Sequence, residues 1–262
     1  MSNSSLVVYT KLSPNHSGAR THAIDRITPH CVVGQLSAES ICGCFETTKR
    51  KASCNYGIGA DGRVSLCVEE KNRSWCSSNN ANDQRAVTIE CASNKSEPYA
   101  MNDAVFKSLV NLCADICKRN GKTKLLWFAD KTKTLAYTPK SDEMVLTVHR
   151  WFAKKSCPGD WLYERLGNLA TQVNEKLESK TSDKTSDKVA QTEAHSNEYK
   201  VRVTVSALNI RSGAGTNHPV VGSIKDRGVY TIVEESTGTD GQKWGKLKSG
   251  LGWISLDYTR KE

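Results

Sequence analysis

A polar stretch at residues 175–198 divides this chain into two parts. It contains the tandem sequence KTSDKTSDK and has no apolar periodicity, so it cannot form a core of its own. Lys, Thr, Ser, Asp and Glu in this proportion are typical of a solvated linker. We therefore expect a larger unit over residues 1–174 and a smaller unit over residues 199–262, joined by a flexible linker.

The larger part alternates predicted strands with predicted helices. Strands are predicted at Ile27 to Val33 and at Val87 to Ala92, and apolar residues recur at helical spacing from Asn102 to the stop at Gly121. The dipeptide Asp61-Gly62 separates two apolar runs, which is the strongest short-range signal for a hairpin. This pattern predicts an α/β domain with a mixed central β-sheet flanked by helices.

The smaller part contains short β-rich runs, such as YKVRVTV and VYTIVEES, separated by Gly, Asn, Asp and Ser turns. Such runs predict a small all-β barrel. The chain has a formal net charge of +9, which favours polyanionic partners: nucleic acid, anionic lipid or the anionic polymers of a bacterial wall. Charge alone does not choose among them.

Several classes of protein are disfavoured by the same sequence. No apolar run approaches the length of about 18 residues that spans a membrane, so membrane insertion is not expected. The N-terminal residues lack a basic region followed by an apolar one, so we expect no secretory signal and synthesis in a cytoplasm. In a reducing compartment most of the 10 cysteines are expected to be small core residues with free thiols.

The segment LTVHRWFAKKSCPGDW concentrates residues that carry chemistry, namely His149, Lys155 and Cys157. Imidazole and thiolate are ligands that zinc takes readily, and His30 in the predicted strand ITPHCVV can supply a third. Three protein ligands with one open position are the catalytic arrangement of zinc, which lowers the pKa of bound water from about 15.7 to about 7. The alternative is a strand end with a buried cysteine and a surface lysine.

Hydrolysis at such a site needs a base for the water and a cation for the oxyanion. Glu90 is the candidate base, because a carboxylate in the apolar strand VTIECA needs a partner or a function. Lys155 is the candidate cation. Glu90 could instead pair with Arg85, and Lys154 could equally be a solvated charge beside Lys155.

Four segments resemble, in order, the zinc-dependent N-acetylmuramoyl-L-alanine amidases of type 2, which include phage endolysins and are relatives of peptidoglycan recognition proteins. The segments are ITPHCVVG, NYGIGADGRV, NDQRAVTIE and HRWFAKKSCPG. The resemblance implies that His30, His149 and Cys157 bind Zn²⁺, and that Glu90 and Lys155 are catalytic. It also implies hydrolysis of the amide between N-acetylmuramic acid and L-alanine in bacterial peptidoglycan.

One departure from the family concerns the hairpin. Where many members place a tyrosine near the zinc, this chain has Cys54, and Tyr56 aligns with the hairpin aromatic residue. Pairing across the hairpin predicts Cys54, Tyr56 and Cys67 on one face. We expect Tyr56 to bind substrate together with Trp75 and Asn79, whose loop RSWCSSNNAND could line a sugar-peptide groove. A plain surface loop is the alternative.

The C-terminal segments LNIRSGAGTNHPVVGSI, WGKL and GWISLDY resemble bacterial SH3-like wall-binding domains. The resemblance implies binding to peptidoglycan, which raises the effective substrate concentration for the catalytic domain. Asn209, Arg211, Trp244 and Tyr258 are the expected wall-binding residues, whereas Trp253 is expected in the core. The implied partners are peptidoglycan and anionic wall polymers, not nucleic acid.

Two other functions stay open at this point. One is a cysteine peptidase of wall peptides whose nucleophile is activated by His149. The other is a non-catalytic peptidoglycan receptor, which the presence of Cys157 disfavours. The expected lack of a secretory signal suits a bacteriolytic phage or prophage endolysin that is stored in the cytoplasm and released through a holin-made lesion.

Overall fold

The computed structural model describes residues 2–178, 199–225, 227–247 and 251–262. The chain divides into two compact units, each with a hydrophobic core of its own. The linker predicted at 175–198 lies outside the described residues except for its first part, Glu175 to Glu178, which continues the last helix of the first unit. No helix in the described ranges is long and apolar enough to cross a membrane.

A seven-stranded mixed sheet forms the centre of the first unit, beside a two-stranded sheet. The strands of the first unit, in chain order, are β1 (Val7–Thr10), β2 (His16–Ala19), β3 (Arg26–Cys31), β4 (Tyr56–Ile58), β5 (Val64–Leu66), β6 (Asn72–Ser74), β7 (Ala86–Cys91), β8 (Lys124–Leu126) and β9 (Glu143–Leu146). The large sheet has the order β1-β5-β4-β7-β3-β9-β8, and β2 pairs with β6. Within the large sheet only the hairpin β4-β5 is antiparallel. The predicted mixed sheet is confirmed.

Helices flank the large sheet, as predicted. Those of the described residues are α1 (Ala38–Gly43), α2 (Asn80–Arg85), α3 (Asp103–Arg119), α4 (Lys131–Ala136), α5 (Asp160–Tyr163) and α6 (Leu166–Glu178). The long helix α3 begins where Asn102 accepts a hydrogen bond from the backbone N–H of Val105, and it is followed by Gly121 at φ +67°. The helical segment after Pro158 is interrupted between α5 and α6, at Glu164 and Arg165.

The main core lies between the sheet and the apolar faces of α3 and α6. These helices bury residues at helical spacing, including Leu109, Leu112, Ile116, Leu166, Leu169 and Val173. Cys113 and Cys117 also lie fully buried on the same face of α3, as predicted. Burying one such leucine or isoleucine side chain contributes about 1.5–3 kcal/mol.

The buried carboxylate of Glu70 belongs to a hydrogen-bond network that links the N-terminal residues to this core. Glu70 has no exposed surface; it accepts hydrogen bonds from the hydroxyl of Tyr56 at 2.8 Å and from both terminal nitrogens of Arg119 at 2.8 and 2.5 Å. The Tyr56 oxygen in turn accepts from the backbone N–H of Ser4 at 2.9 Å. The Tyr56 ring is therefore part of the core, and its hydroxyl is fully engaged.

The prediction that Cys54, Tyr56 and Cys67 share one face is wrong. Tyr56 pairs with Leu66 in the hairpin, and both side chains pack in the main core. β4 begins only at Tyr56, so Cys54 lies outside the regular pairing and packs with Cys67 in a smaller cluster beside α1.

The second unit is all-β, as predicted, and forms one seven-stranded antiparallel sheet. Its strands are β10 (Tyr199–Val203), β11 (Leu208–Arg211), β12 (Val220–Ile224), β13 (Val229–Thr237), β14 (Lys243–Leu247), β15 (Trp253–Ser255) and β16 (Thr259–Lys261), in the order β12-β11-β15-β14-β13-β10-β16. Its core consists of alternating apolar residues, among them Val201, Val203, Ile210, Ile232 and Ile254.

Candidate metal centre and active site

Three neighbouring parallel strands bring the candidate residues to one edge of the large sheet. β3 lies between β7 and β9, so the carboxyl ends of all three meet there. His30 near the end of β3 is in register with Glu90 near the end of β7, which places the two side chains on the same face. His149 follows the end of β9 and begins a short 3₁₀ turn.

His30, His149 and Cys157 form a compact cluster. The Cys157 Sγ lies 3.2 Å from Nδ1 of His30, and the two imidazole centroids are 5.1 Å apart at an interplanar angle of 59°. One nitrogen or sulfur atom from each residue lies within 4.8 Å of the others. The structure thus brings the three predicted ligands together, although 127 positions separate His30 from Cys157 along the chain.

The loop between His149 and Cys157 is closed by its own hydrogen bonds. The backbone N–H of Arg150 donates to the Cys157 carbonyl at 3.0 Å, and its Nε donates to the Ser156 carbonyl at 3.1 Å. At the end of this loop Gly159 has φ +84°, and a Cβ there would lie 2.6 Å from the Pro98 carbonyl oxygen. Only glycine fits this close approach, which fixes the position of Cys157 beside the sheet.

The electrostatic environment keeps both histidines neutral. Burial lowers the pKa of His30 well below its usual value, and the neighbouring His149 acts in the same direction because two protonated rings would repel each other. Burial and then the charge of Lys155 lower the pKa of His149. Neutral imidazoles are the form that binds a metal ion.

Cys157 lies in surroundings that favour the protonated thiol. Burial raises its pKa well above the usual value, and a hydrogen bond with Cys31 and the charge of Glu90 raise it further. A cysteine nucleophile needs a depressed pKa, so these surroundings do not support the cysteine-peptidase alternative. A metal cation reverses this effect, because a coordinating thiol loses its proton.

Glu90 forms no ion pair with an arginine among the described residues, although the charge of Arg50 acts on it. Arg85, its alternative partner, instead forms a bidentate ion pair with Asp25. The nearest donor to Glu90 is the thiol of Cys76, with Sγ 3.8 Å from Oε1, and Oε2 has no hydrogen-bond partner among the described residues. Burial raises the pKa of Glu90 to about 7. A carboxyl group with a pKa near neutrality can both accept and return a proton.

A groove of about 500 Å³ opens over Glu90 and His149. Its lining includes the predicted residues Lys155, Trp75 and Asn79, with Lys155 exposed at the rim. The prediction that Tyr56 binds substrate is wrong, because the Tyr56 side chain is fully buried and does not reach the groove.

In the second unit the four predicted wall-binding residues differ in exposure. Asn209 and Tyr258 are exposed, whereas Arg211 donates hydrogen bonds to the carbonyls of Thr216 and His218 and holds that loop. The prediction for Trp244 is wrong: this side chain is 3% exposed. Conversely Trp253, expected in the core, is partly exposed, with the Lys246 ammonium 6.0 Å from its ring centroid.

The first unit matches a known protein family. The model of the N-acetylmuramoyl-L-alanine amidase family matches residues 20–160, which include all three clustered residues and Glu90. The chain belongs to this amidase family. A bacterial SH3 domain model matches residues 206–260, so the amidase unit is followed by an SH3-like unit. No curated protein sequence matches this amidase.

Several solved structures are similar to the amidase unit. PlyL is 17% identical, with 63% of this chain and 96% of that chain covered and a TM-score of 0.43. A selenomethionine derivative of AmpD is 16% identical, with 64% and 96% covered and a TM-score of 0.46. The endolysin LysCS from Clostridium intestinale is 14% identical, with 62% and 96% covered and a TM-score of 0.40.

Sequence reasoning missed several residues at the amidase site. Ser78 lies at φ +60°, and its Oγ forms a 3.0 Å hydrogen bond with Nε2 of His149. Cys76 contacts Glu90, and Arg50 and Lys51 line the groove. Arg50 ends a single 3₁₀ turn and the other three lie on irregular segments, so periodicity carries no information about any of them. Only the Asn79 cap of α2 signals that the loop before it has a fixed shape.

Proposed function

We propose that the first unit is a zinc amidase that cleaves peptidoglycan between N-acetylmuramic acid and L-alanine. His30, His149 and Cys157 would hold the ion, Glu90 would be the general acid and base, and Lys155 would stabilise the oxyanion. The observation that carries the proposal is the cluster of two neutral imidazoles and one thiol at the edge of the sheet, beside Glu90 in an open groove.

The residues present fit a zinc ion. Two nitrogen donors and one sulfur donor form a set that zinc accepts in catalytic sites, where a fourth position stays open. Nε2 of His30 is buried without a hydrogen-bond partner among the described residues, and Nδ1 faces the Cys157 sulfur. Nε2 of His149 is oriented by Ser78, as is usual for a metal-binding histidine whose second nitrogen is held by a neighbour.

Proton transfer and stabilisation of the oxyanion would be carried out by side chains of the protein. When bound, zinc polarises the scissile carbonyl and acidifies water. Glu90 accepts a proton from the attacking water and returns it to the leaving amine of L-alanine, which its pKa of about 7 permits. The Lys155 ammonium, exposed at the groove, stabilises the negative charge that develops on the carbonyl oxygen.

The second unit would hold the enzyme on its substrate. Its similarity to bacterial SH3 domains supports binding to the wall, with Asn209 and Tyr258 as the exposed contacts that remain from the prediction. Attachment raises the local concentration of cleavable bonds for the amidase unit. Binding to anionic wall polymers and release from a producing cell through a holin lesion also stay proposals.

Mass spectrometry of digested peptidoglycan tests the reaction directly. The expected products are glycan strands with free lactyl carboxyl groups and peptides with a free L-alanine amine. A strong chelator should abolish their release, and zinc should restore it. Cleavage between amino acids or between sugars, or full activity after metal removal confirmed by elemental analysis, would contradict the proposal.

A further inference from the structure

Cations dominate the rim of the amidase groove. Arg50, Lys51, Arg73 and Lys155 all line it. The side chains of Arg50 and Lys51 are exposed, and neither forms an ion pair or side-chain hydrogen bond within the described part of the chain. Arg73 is different, because its terminal nitrogens already donate to Asn80 and Ser17.

The acidic residues of the groove do not neutralise these cations. Asp83 is 3% exposed, and its carboxylate accepts from the backbone N–H groups of Cys76 and Ser77 and from the Ser77 hydroxyl. Glu90 lies beside the metal cluster, and the charge of Arg50 acts on it without an ion pair between the two side chains. The hydrogen-bonding groups of Arg50 and Lys51 are therefore available to a ligand.

The backbone conformation at Arg50 and Lys51 is unusual. Arg50 ends a short 3₁₀ turn, Thr48–Arg50, and Lys51 follows it in the left-handed region with φ 49° and ψ 32°. A non-glycine residue in this region costs about 1 kcal/mol or more and is found preferentially at functional sites. The turn thus places two adjacent, unpaired cations at the groove.

We propose that Arg50 and Lys51 form a subsite for a free carboxylate of the wall peptide, so that the enzyme prefers peptides with an unamidated acidic residue after L-alanine. In bacterial walls the residue after L-alanine is a glutamate whose α-carboxyl is free in some walls and amidated in others. A carboxylate forms charge-assisted hydrogen bonds with both cations, whereas an amide carries no charge for them to attract. This inference rests on the proposed amidase function.

Two synthetic substrates isolate the effect. Both contain N-acetylmuramoyl-L-alanine linked to a D-glutamate residue whose γ-carboxyl is blocked as a methylamide; one has a free α-carboxylate and the other an α-amide. The wild-type enzyme should hydrolyse the carboxylate with a kcat/KM about fivefold higher, the size expected for two solvent-exposed ion pairs. Raising the salt concentration should bring this ratio towards one.

The double substitution Arg50→Gln with Lys51→Gln should abolish the preference while the amide substrate is still cleaved. Lys107→Gln with Lys131→Gln is the matched control: it removes the same charge from exposed positions outside the groove and should keep the preference. Equal kcat/KM for both substrates in the wild type, or an unchanged ratio in the groove variant, would overturn the subsite. Hydrolysis of neither substrate by the zinc-loaded wild type would instead overturn the amidase function.

Discussion

The Oγ of Ser78 forms a 3.0 Å hydrogen bond with Nε2 of His149, which connects the loop before α2 to the proposed metal centre. Ser78 holds the left-handed conformation at φ +60°, so the loop accepts a strained residue where the contact is made. The bond leaves one nitrogen of His149 to face the cluster and fixes the plane of its ring. Orientation of this kind affects metal affinity and the chemical step alike.

Ser78→Ala should therefore weaken zinc binding by about tenfold, because the His149 ring loses its orienting partner. Competition with a chromophoric chelator measures the affinity. Ser96→Ala, at an exposed position with no side-chain hydrogen bond among the described residues, is the control. Unchanged affinity in Ser78→Ala would show that the loop between His149 and Cys157 orients the ring without help.

Glu90→Gln should lower the rate of hydrolysis by at least about 100-fold, because the amide keeps the shape of the carboxyl group but cannot take a proton from water. Zinc content should stay at the wild-type level, since Glu90 is not one of the proposed ligands. Elemental analysis and product release are measured on the same preparation. Near-normal turnover in this variant would exclude Glu90 as the base.

Asp83→Ala should destabilise the first unit by about 2–3 kcal/mol, because it removes the acceptor for the N–H groups of Cys76 and Ser77 and leaves them unsatisfied. Chemical denaturation measures this loss. Activity should fall as well, since the same loop carries Trp75 and Asn79 into the groove. Loss of activity without loss of stability would point to a direct role of Asp83 in binding.

Cys42 and Cys67 are buried in the folded protein, so they should form a disulfide when the reduced, unfolded protein is refolded with oxidised glutathione, by exchange that releases two molecules of reduced glutathione. Their sulfur atoms lie only 2.7 Å apart, closer than two unbonded sulfur atoms normally approach. The bridge should raise the free energy of unfolding by about 3 kcal/mol. Peptide mapping without reduction identifies it, and a bridge from Cys67 to Cys54 instead would contradict the prediction.

The candidate ligands His30, His149 and Cys157 could be named from the sequence because few residue types bind zinc and because the segments that contain them resemble the amidase family in order. The structure brings these three side chains together. The assignment of Glu90 as the base rests on the same resemblance and on its place in an apolar strand. The helix α3 could also be predicted, because its apolar face, its Asn102 cap and the following Gly121 all indicate one helix with the same bounds.

The two wrong aromatic assignments have a common cause. Tyr56 and Trp244 lie on strands, where alternation separates the two faces but does not say which one is buried. Only the tertiary contacts decide: Tyr56 is covered by the core and Glu70, and Trp244 is 3% exposed, with its Nε1 3.3 Å from the Asp240 carboxylate. The loop residues Ser78, Arg50 and Lys51 were missed for a related reason, because the groove joins segments that are distant along the chain.

The buried carboxylate of Glu70 has a consequence for the order of folding. Its partners Tyr56 and Arg119 lie in the hairpin and at the end of α3. Ser4, near the N-terminus, donates to the Tyr56 hydroxyl. Contacts between segments so distant carry a large loop-closure entropy, so this network should assemble after the transition state. Loss of this hydrogen-bond network should then accelerate unfolding and leave the refolding rate nearly unchanged. Glu70 therefore stabilises the folded state without assisting its formation.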